Sequence, residues 1–301
     1  MLRSMYSGVS GMKNFQTKLD VIGNNIANVN TYGFKKGRVT YKDLINQQIA
    51  GASAATDAAS GMNAKQVGLG SALSSIDTIH TAGSNQSTGR TLDLALAGDG
   101  FFVVGTILNP GSVNNQPNQN NTITGSIDGA MDLSYTRSGN FYLDDKGFLV
   151  TADGQYLIGR AGNTASAGLI QIPLTAKSFN IGPDGSVSYV NANGTLDDAG
   201  QIMVANFANE GGLEKVGGNL YKESSNSGTI DQGTDGIQLG ELSVPGEDGS
   251  AAIMAGMLEM SNVDLADEFT EMIVAQRGFQ SNTKIITTSD EILQELMNLK
   301  R

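Results

Sequence analysis

Few side chains in this sequence are placed to do chemistry. His80 is the only histidine among 301 residues and there is no cysteine. A Ser-His-Asp relay would have to be built on His80, and no Gly-x-Ser-x-Gly elbow accompanies it. Flanked by Ile79 and Thr81, it reads as a strand or surface residue. One His without Cys gives no zinc ligand set, no thiolate nucleophile and no disulfide framework. The Asp-Gly pairs invite a calcium reading, because an oxygen cage needs spaced acids and a closing Glu. Pro183-Asp184-Gly185-Ser186 and Leu143-Asp144-Asp145-Lys146-Gly147 lack both, and hairpin turns account for them. Gly98-Asp99-Gly100 and Gly68-Leu69-Gly70 lack the third Gly, or the Gly-Lys-Ser/Thr, that a phosphate cradle requires. Two of the acids could converge as in a glycosidase, but the absence of Trp argues against a sugar cleft. No catalytic, metal or cofactor-binding residue is assigned, and the chain is read as a structural subunit.

Charge narrows the partners. The formal total of -11 is uneven. Residues 1–42 carry +6, from Arg3, Lys13, Lys18, Lys35, Lys36, Arg38 and Lys42 against Asp20, whereas residues 257–301 carry -4 from four bases and eight acids. The acidic middle has nothing to neutralise phosphates, which argues against nucleic acid. A basic start and an acidic end attract one another. Met1 to Ser7 do not open a secretory leader. No run of about 18 apolar residues exists, so no membrane insertion is expected.

Both ends read as helices. Met5, Val9, Met12, Leu19, Ile22, Ile26 and Val29 recur at heptad spacing, interrupted by Gly8, Gly11, Gly23 and Asn24-Asn25, all poor helix residues. Such a helix is marginal alone and needs packing. At the other end Ser261 and Asp264 have the spacing of a capping box. Leu265, Phe269, Met272, Phe279, Ile286 and Leu293 follow as one stripe, with Ile285, Ile292, Leu296 and Leu299 as a second. A helix over 264–299 is roughly 54 Å long. A partner of 25 residues cannot cover both stripes, and exposed apolar patches of that size mark interaction surfaces; other copies of the chain are the simplest cover.

Between the ends the pattern changes. With 39 Gly and short apolar runs such as Leu92–Leu96, Phe101–Val104, Phe141–Leu143, Gly147–Val150 and Ile202–Phe207, residues 71–255 read as an all-β domain. Asp-Gly pairs beginning at 99, 128, 153, 184, 235 and 248 supply hairpin turns. Residues 31–70 read as an extended connector, with 50–66 lacking any apolar period, and residues 106–130 as a mobile hairpin or surface loop. The fold class is therefore mixed and mainly β: an all-β domain flanked by N- and C-terminal α-helices, 1–30 with 264–301, whose apolar stripes other copies of the chain would cover.

Three separated stretches resemble the bacterial flagellar rod and hook family. Leu19-Asp20-Val21-Ile22-Gly23-Asn24-Asn25-Ile26-Ala27-Asn28, then Thr31-Tyr32-Gly33-Phe34-Lys35, is similar to its amino-terminal signature. Ser261-Asn262-Val263-Asp264-Leu265, Phe269, Met272-Ile273, Gln276-Arg277, Phe279-Gln280, Asn282 and Lys284 resemble its carboxy-terminal one. Gly98-Asp99-Gly100-Phe101-Phe102 and Tyr135-Thr136-Arg137-Ser138-Gly139-Asn140-Phe141 are similar to its core strands.

The resemblance implies a homopolymer in which the terminal helices form an intersubunit coiled-coil inner tube and the β domain lies outside it, each chain being exported without a cleaved leader through the flagellar export apparatus. Asn63–Gly70 and Gly23–Ile26 lean towards the hook, a curved universal joint outside the cell envelope that passes torque from rod to filament. That reading brings the distal rod, the hook cap, the hook-filament junction protein and the hook-length control protein as partners. A distal rod subunit, a rigid drive shaft, is the alternative, and a secreted β-rich hydrolase the remote one. Expected interface residues are Met5, Val9, Met12, Leu19, Ile22, Asn24, Asn25, Ile26, Val29, Phe34, Leu265, Phe269, Met272, Ile273, Gln276, Phe279, Ile286, Leu293 and Leu296. The stretch 106–130 is longer than the family's usual turn, and no large insertion follows Gly159-Arg160.

Overall fold

The computed structural model describes residues 2–52, 54, 60–113, 121–162, 166–228, 230, 236–247 and 249–299. The chain divides into two compact units: 1–28 with 36–79 and 263–301, and 29–35 with 80–262.

The first unit holds helix α1 (Leu2–Ala27) and the long C-terminal helix, with two β-ribbons. Strand Gly37–Asp43 pairs antiparallel with Ser71–Thr78, and Asn46–Ala50 with Lys65–Gly68. Where the sequence predicts an extended connector over 31–70, the structure therefore has two paired ribbons, and the strand Ser71–Thr78 lies with the helices. The runs involved are short and polar: Gly37–Asp43 alternates only weakly, and both strands of the second ribbon are almost wholly exposed. The period-2 signal was too faint to register. Residues 53 and 55–59 of the expected connector lie outside the described residues.

The second unit is the β domain. Its main sheet runs, in spatial order, through Ser178–Ile181, Ser186–Val190, Leu196–Ile202, Tyr156–Ala161, Phe101–Ile107, Met131–Thr136, Leu220–Lys222 and Glu214–Gly217, with antiparallel pairing along the whole path. Phe101–Ile107 is buried on both faces over residues 101–105. Phe101 and Val103 enter one apolar cluster with Met131, Tyr135 and Tyr221; Phe102 and Val104 enter another with Leu94, Phe141 and Ile202. That division follows from the alternation of side chains along a strand.

The expected mobile loop at 106–130 is corrected at both flanks. Val113, Ile123, Ile127 and Ala130 are buried in the first cluster, and Ile127–Ala130 forms a short helix, α2, capped by Ser126. Asp128-Gly129 sits in that helix rather than in a hairpin turn. Four apolar residues spread among Asn, Gly and Ser carry no period, which is why the core contribution was hidden. Residues 114–120 lie outside the described residues.

The C-terminal helix, α3, spans Leu265–Leu299. Asp264 caps it, its Oδ1 accepting the Ala266 N–H at 2.8 Å, with Asp267 and Glu268 in the first turn against the positive helix end. The cap is Asp264 itself, one turn later than the Ser261–Asp264 box suggests. No helix among the described residues is long and apolar enough to cross a membrane.

Candidate assembly interface

Within the helical unit α1 and α3 run antiparallel, and contacts along them fix the register. A Cβ on Gly8 would lie 3.4 Å from Ile286, one on Gly11 2.7 Å from the Asn282 amide, and one on Gly278 2.5 Å from the Phe15 ring. Lys18 pairs with Glu271 at 3.0 Å, and Asn25 bonds Glu268 at 3.1 Å. Gly11 and Gly278 are thus positions of closest approach. Their helix-propensity cost, about 1 kcal/mol each, is the condition for the helices to meet.

Asn25 joins three elements. Its Oδ1 accepts the Gly37 N–H at 2.9 Å, its Nδ2 donates to Gly37 O at 2.9 Å, and the same nitrogen donates to Glu268 Oε2. The side chain thereby pairs with Gly37 as a neighbouring strand would. Asn14 repeats the tie further along: its Nδ2 donates to Ser71 Oγ at 2.8 Å, and its carbonyl accepts from Tyr41 OH at 3.1 Å. Burial, with Glu271 nearby, holds the Tyr41 phenol above its ordinary pKa. A cleft of about 210 Å³ with an aliphatic floor of Val21, Ile22 and Ile79 opens beside Asn25, edged by Lys18 and Arg38.

The predicted interface residues divide. Ile22 and Asn25 are buried; Met5, Met12, Leu19, Ile26, Met272, Phe279, Ile286 and Leu293 are half-buried. Val9, Asn24, Leu265, Phe269, Ile273, Gln276 and Leu296 are exposed, Phe269 at 50% and Ile273 at 59%. Val29 and Phe34 belong to the β unit, where Phe34 lies under the Lys215 ammonium at 5.0 Å. Phe15, Ala275 and Asn282 were missed. Phe15 splits the seven-residue step from Met12 to Leu19 into three and four, a signal present in the sequence; Ala275, fully buried, offers no hydrophobic peak to read.

The helices are unequal in length. With Gly8 against Ile286 and Asn25 against Glu268, Leu2 falls opposite about residue 291, so the last turns of α3 extend about 12 Å beyond α1. Ile292, Leu296, Met297 and Leu299 are exposed there. Ile285 shares the side of Ile292, Leu296 and Leu299, while Leu265, Phe269 and Ile273 lie on another side of the helix near its start, so this unit leaves two apolar patches of α3 open. Among the described residues no group of three or more His, Asp or Glu side chains is close enough to hold a metal ion.

Three stretches match family descriptions: residues 5–35 the flagella basal body rod protein, 126–189 the flagellar hook protein FlgE/F/G D1 domain, and 254–299 the flagellar basal body rod FlgEFG protein C-terminal region. A flagellar basal-body rod protein, FlgG, of Bacillus subtilis is 57% identical over 301 residues, with all of both chains covered. The chain belongs to the flagellar rod and hook protein family. Another rod protein, from Caulobacter vibrioides, is 35% identical over 302 residues, with 99% of this chain and all of that one covered. A flagellar hook protein, FlgE, of Borreliella burgdorferi is 31% identical over an alignment of 458 positions covering both chains fully. Rod and hook family members are structural components of the flagellum. The two terminal matches take in most of α1 and the whole of α3.

Proposed function

We propose that this chain is a distal rod subunit, polymerising with copies of itself into a stiff shaft in the flagellar axis. The observation that carries it is the end-to-end 57% identity with a basal-body rod protein of equal extent, against 31% with a hook protein whose alignment runs far beyond 301 positions. This displaces the hook reading drawn from Asn63–Gly70 and Gly23–Ile26. Those residues separate the family from other proteins better than they separate its members. The hook cap, the hook-filament junction protein and the hook-length control protein leave the partner set with it. Neighbouring axial subunits and the export apparatus remain.

The open apolar patches of α3 support polymerisation. Leu265, Phe269, Ile273, Ile285, Ile292 and Leu296 are each 40–59% exposed, more apolar surface on one helix than an isolated chain usually leaves to water. Copies of the same helix pair cover these residues, forming a coiled-coil tube, and the chain reaches that tube through the flagellar export apparatus. Electron microscopy of the polymerised protein tests the assignment: straight, rigid rods are expected, and curved, pliant tubes restore the hook reading. A deletion strain gives the second test. Loss of a rod subunit removes the outer rings along with the hook, whereas loss of a hook subunit leaves rod and rings in place.

A further inference from the structure

The β unit buries two cations and one carboxylate drawn from three distant parts of the chain. Lys35 ends the loop 29–35, Arg137 follows strand Met131–Thr136, and Glu259 ends strand Met257–Glu259. Their side chains are 1%, 0% and 1% exposed. Lys35 Nζ donates to Glu259 Oε1 at 2.6 Å and to Thr81 O at 2.9 Å. The Gly83 N–H reaches the same Oε1 at 2.9 Å, and Arg137 Nη1 lies 3.5 Å from Oε2. The backbone follows the side chains, the Gly33 N–H donating to Glu259 O at 2.8 Å. Gly33 sits at φ +69°, where a Cβ would come within 2.7 Å of the Arg137 carbonyl carbon, so the loop lies directly on the Arg137 backbone.

Glu259 is the carboxylate that both cations meet. Glu210, the other acid near them, is pushed up in pKa by burial and is the poorer counter-charge. Desolvation pulls Lys35 down and Glu259 opposes it, which is the signature of a buried cation dependent on one partner. Seating the loop 29–35 without Glu259 would strand Lys35 and Arg137 in a dry interior. An unpaired buried charge costs more than a short loop's contacts return. Lys35 and Arg137 are made early in synthesis and Glu259 late.

We infer that Glu259 is a completion latch: loop 29–35 docks on the β unit only once strand Met257–Glu259 has arrived, so final closure waits for a nearly complete chain. The latch stands on the charges of the β unit and is independent of the polymer reading. Because Glu259 precedes α3 by six residues in sequence, closure reports that the chain is present as far as the threshold of its last helix. A chain emerging N-terminus first stays open until then.

Hydrogen exchange on the full-length protein tests it, with Glu259→Gln, Glu259→Asp and the apolar triple Lys35→Met/Arg137→Met/Glu259→Met beside the wild type. In Glu259→Gln the amides of Gly33 to Lys35 should exchange at least ~100-fold faster, while Glu259→Asp falls between. The triple variant, with no charge left to strand, should keep protection within about tenfold of wild type. In urea, Glu259→Gln should speed unfolding and leave the refolding rate within about twofold, because a contact made last is absent from the transition state. Wild-type protection in Glu259→Gln overturns the latch. So does a triple variant as open as Glu259→Gln, since attraction and not stranded charge would then hold the loop. Refolding slowed in proportion to lost stability overturns it as well. If Glu259→Gln does not fold, the triple decides: folded and protected supports the latch, unfolded refutes it.

Discussion

Asn25 and Glu268 lie 243 positions apart in sequence and share a 3.1 Å hydrogen bond with both side chains buried. Asn25 spends its remaining hydrogen-bonding capacity on both backbone groups of Gly37, so one amide joins α1, α3 and the first ribbon. Replacing Asn25 with Ala leaves the Gly37 groups and a buried carboxylate without that partner. A loss of about 2 to 3 kcal/mol in the helical unit is expected. Amide exchange of α1 measures it, and the neighbouring Asn24→Ala, on an exposed side chain, should be nearly silent.

Gly278 faces Phe15. Gly278→Val puts branched carbons where the Phe15 ring already sits and should destabilise the helix pair by about 1 to 3 kcal/mol. Adding Phe15→Ala should return part of that loss. If the double variant is simply the sum of the two singles, the two residues do not share the crossing. Urea unfolding followed by far-ultraviolet circular dichroism reads both.

Exposed apolar residues near the start of α3 allow folding and assembly to be tested separately. Phe269→Asp or Ile273→Asp changes an exposed side chain, so unfolding of the single chain should move by less than about 0.5 kcal/mol. Sedimentation should show the critical concentration for polymer rising at least ~100-fold, the equivalent of 2.7 kcal/mol per contact. Unchanged polymer growth in both variants would remove this patch from the interface.

His80 titrates abnormally. It is packed against Phe101 and Tyr221, at 5.7 and 5.6 Å between ring centroids, and burial first, then Lys35, Lys215 and Arg137, lowers its pKa to about 4. The folded chain holds His80 neutral while the unfolded chain protonates it near 6.5, so the unfolded state binds more protons between those values. Stability of the β unit should be full above about pH 6.5, fall as the pH is lowered, and level off below about 4 as far as this group is concerned. His80→Phe should flatten that span of the profile in a thermal melt series. A slope of the same size in the variant would assign it to other groups.

Helix existence was legible because period and length agreed: Met272, Phe279, Ile286 and Leu293 recur every seven residues, and the helix they predict ends within a residue or two of the one found. The seam's partner side was only half legible. Gly8, Gly11 and Gly278 look like defects in a propensity count, and only the position of Asn282 and Phe15 across the gap turns them into contacts. Asn25 carried no mark distinguishing it from exposed Asn24; its role depends on Gly37 and Glu268, which no local pattern connects to it. The β domain was legible as strands and turns, yet its buried charges were not, since Lys35, Arg137 and Glu259 read one at a time as ordinary surface residues. The relatives favour the rod over the hook for a related reason: short signatures are shared by the family, whereas the extent of the whole chain is not.

The surplus length of α3 gives the helix pair a head and a tail. At one end the two helices leave a single bare tail of Ile292, Leu296 and Leu299; at the other they finish nearly level, with Asn25 beside Glu268. A column of such pairs has chemically distinct extremities, so newcomers meet a different docking surface at each. Growth from one extremity alone, and a fixed orientation of every member along the axis, would then need no outside instruction.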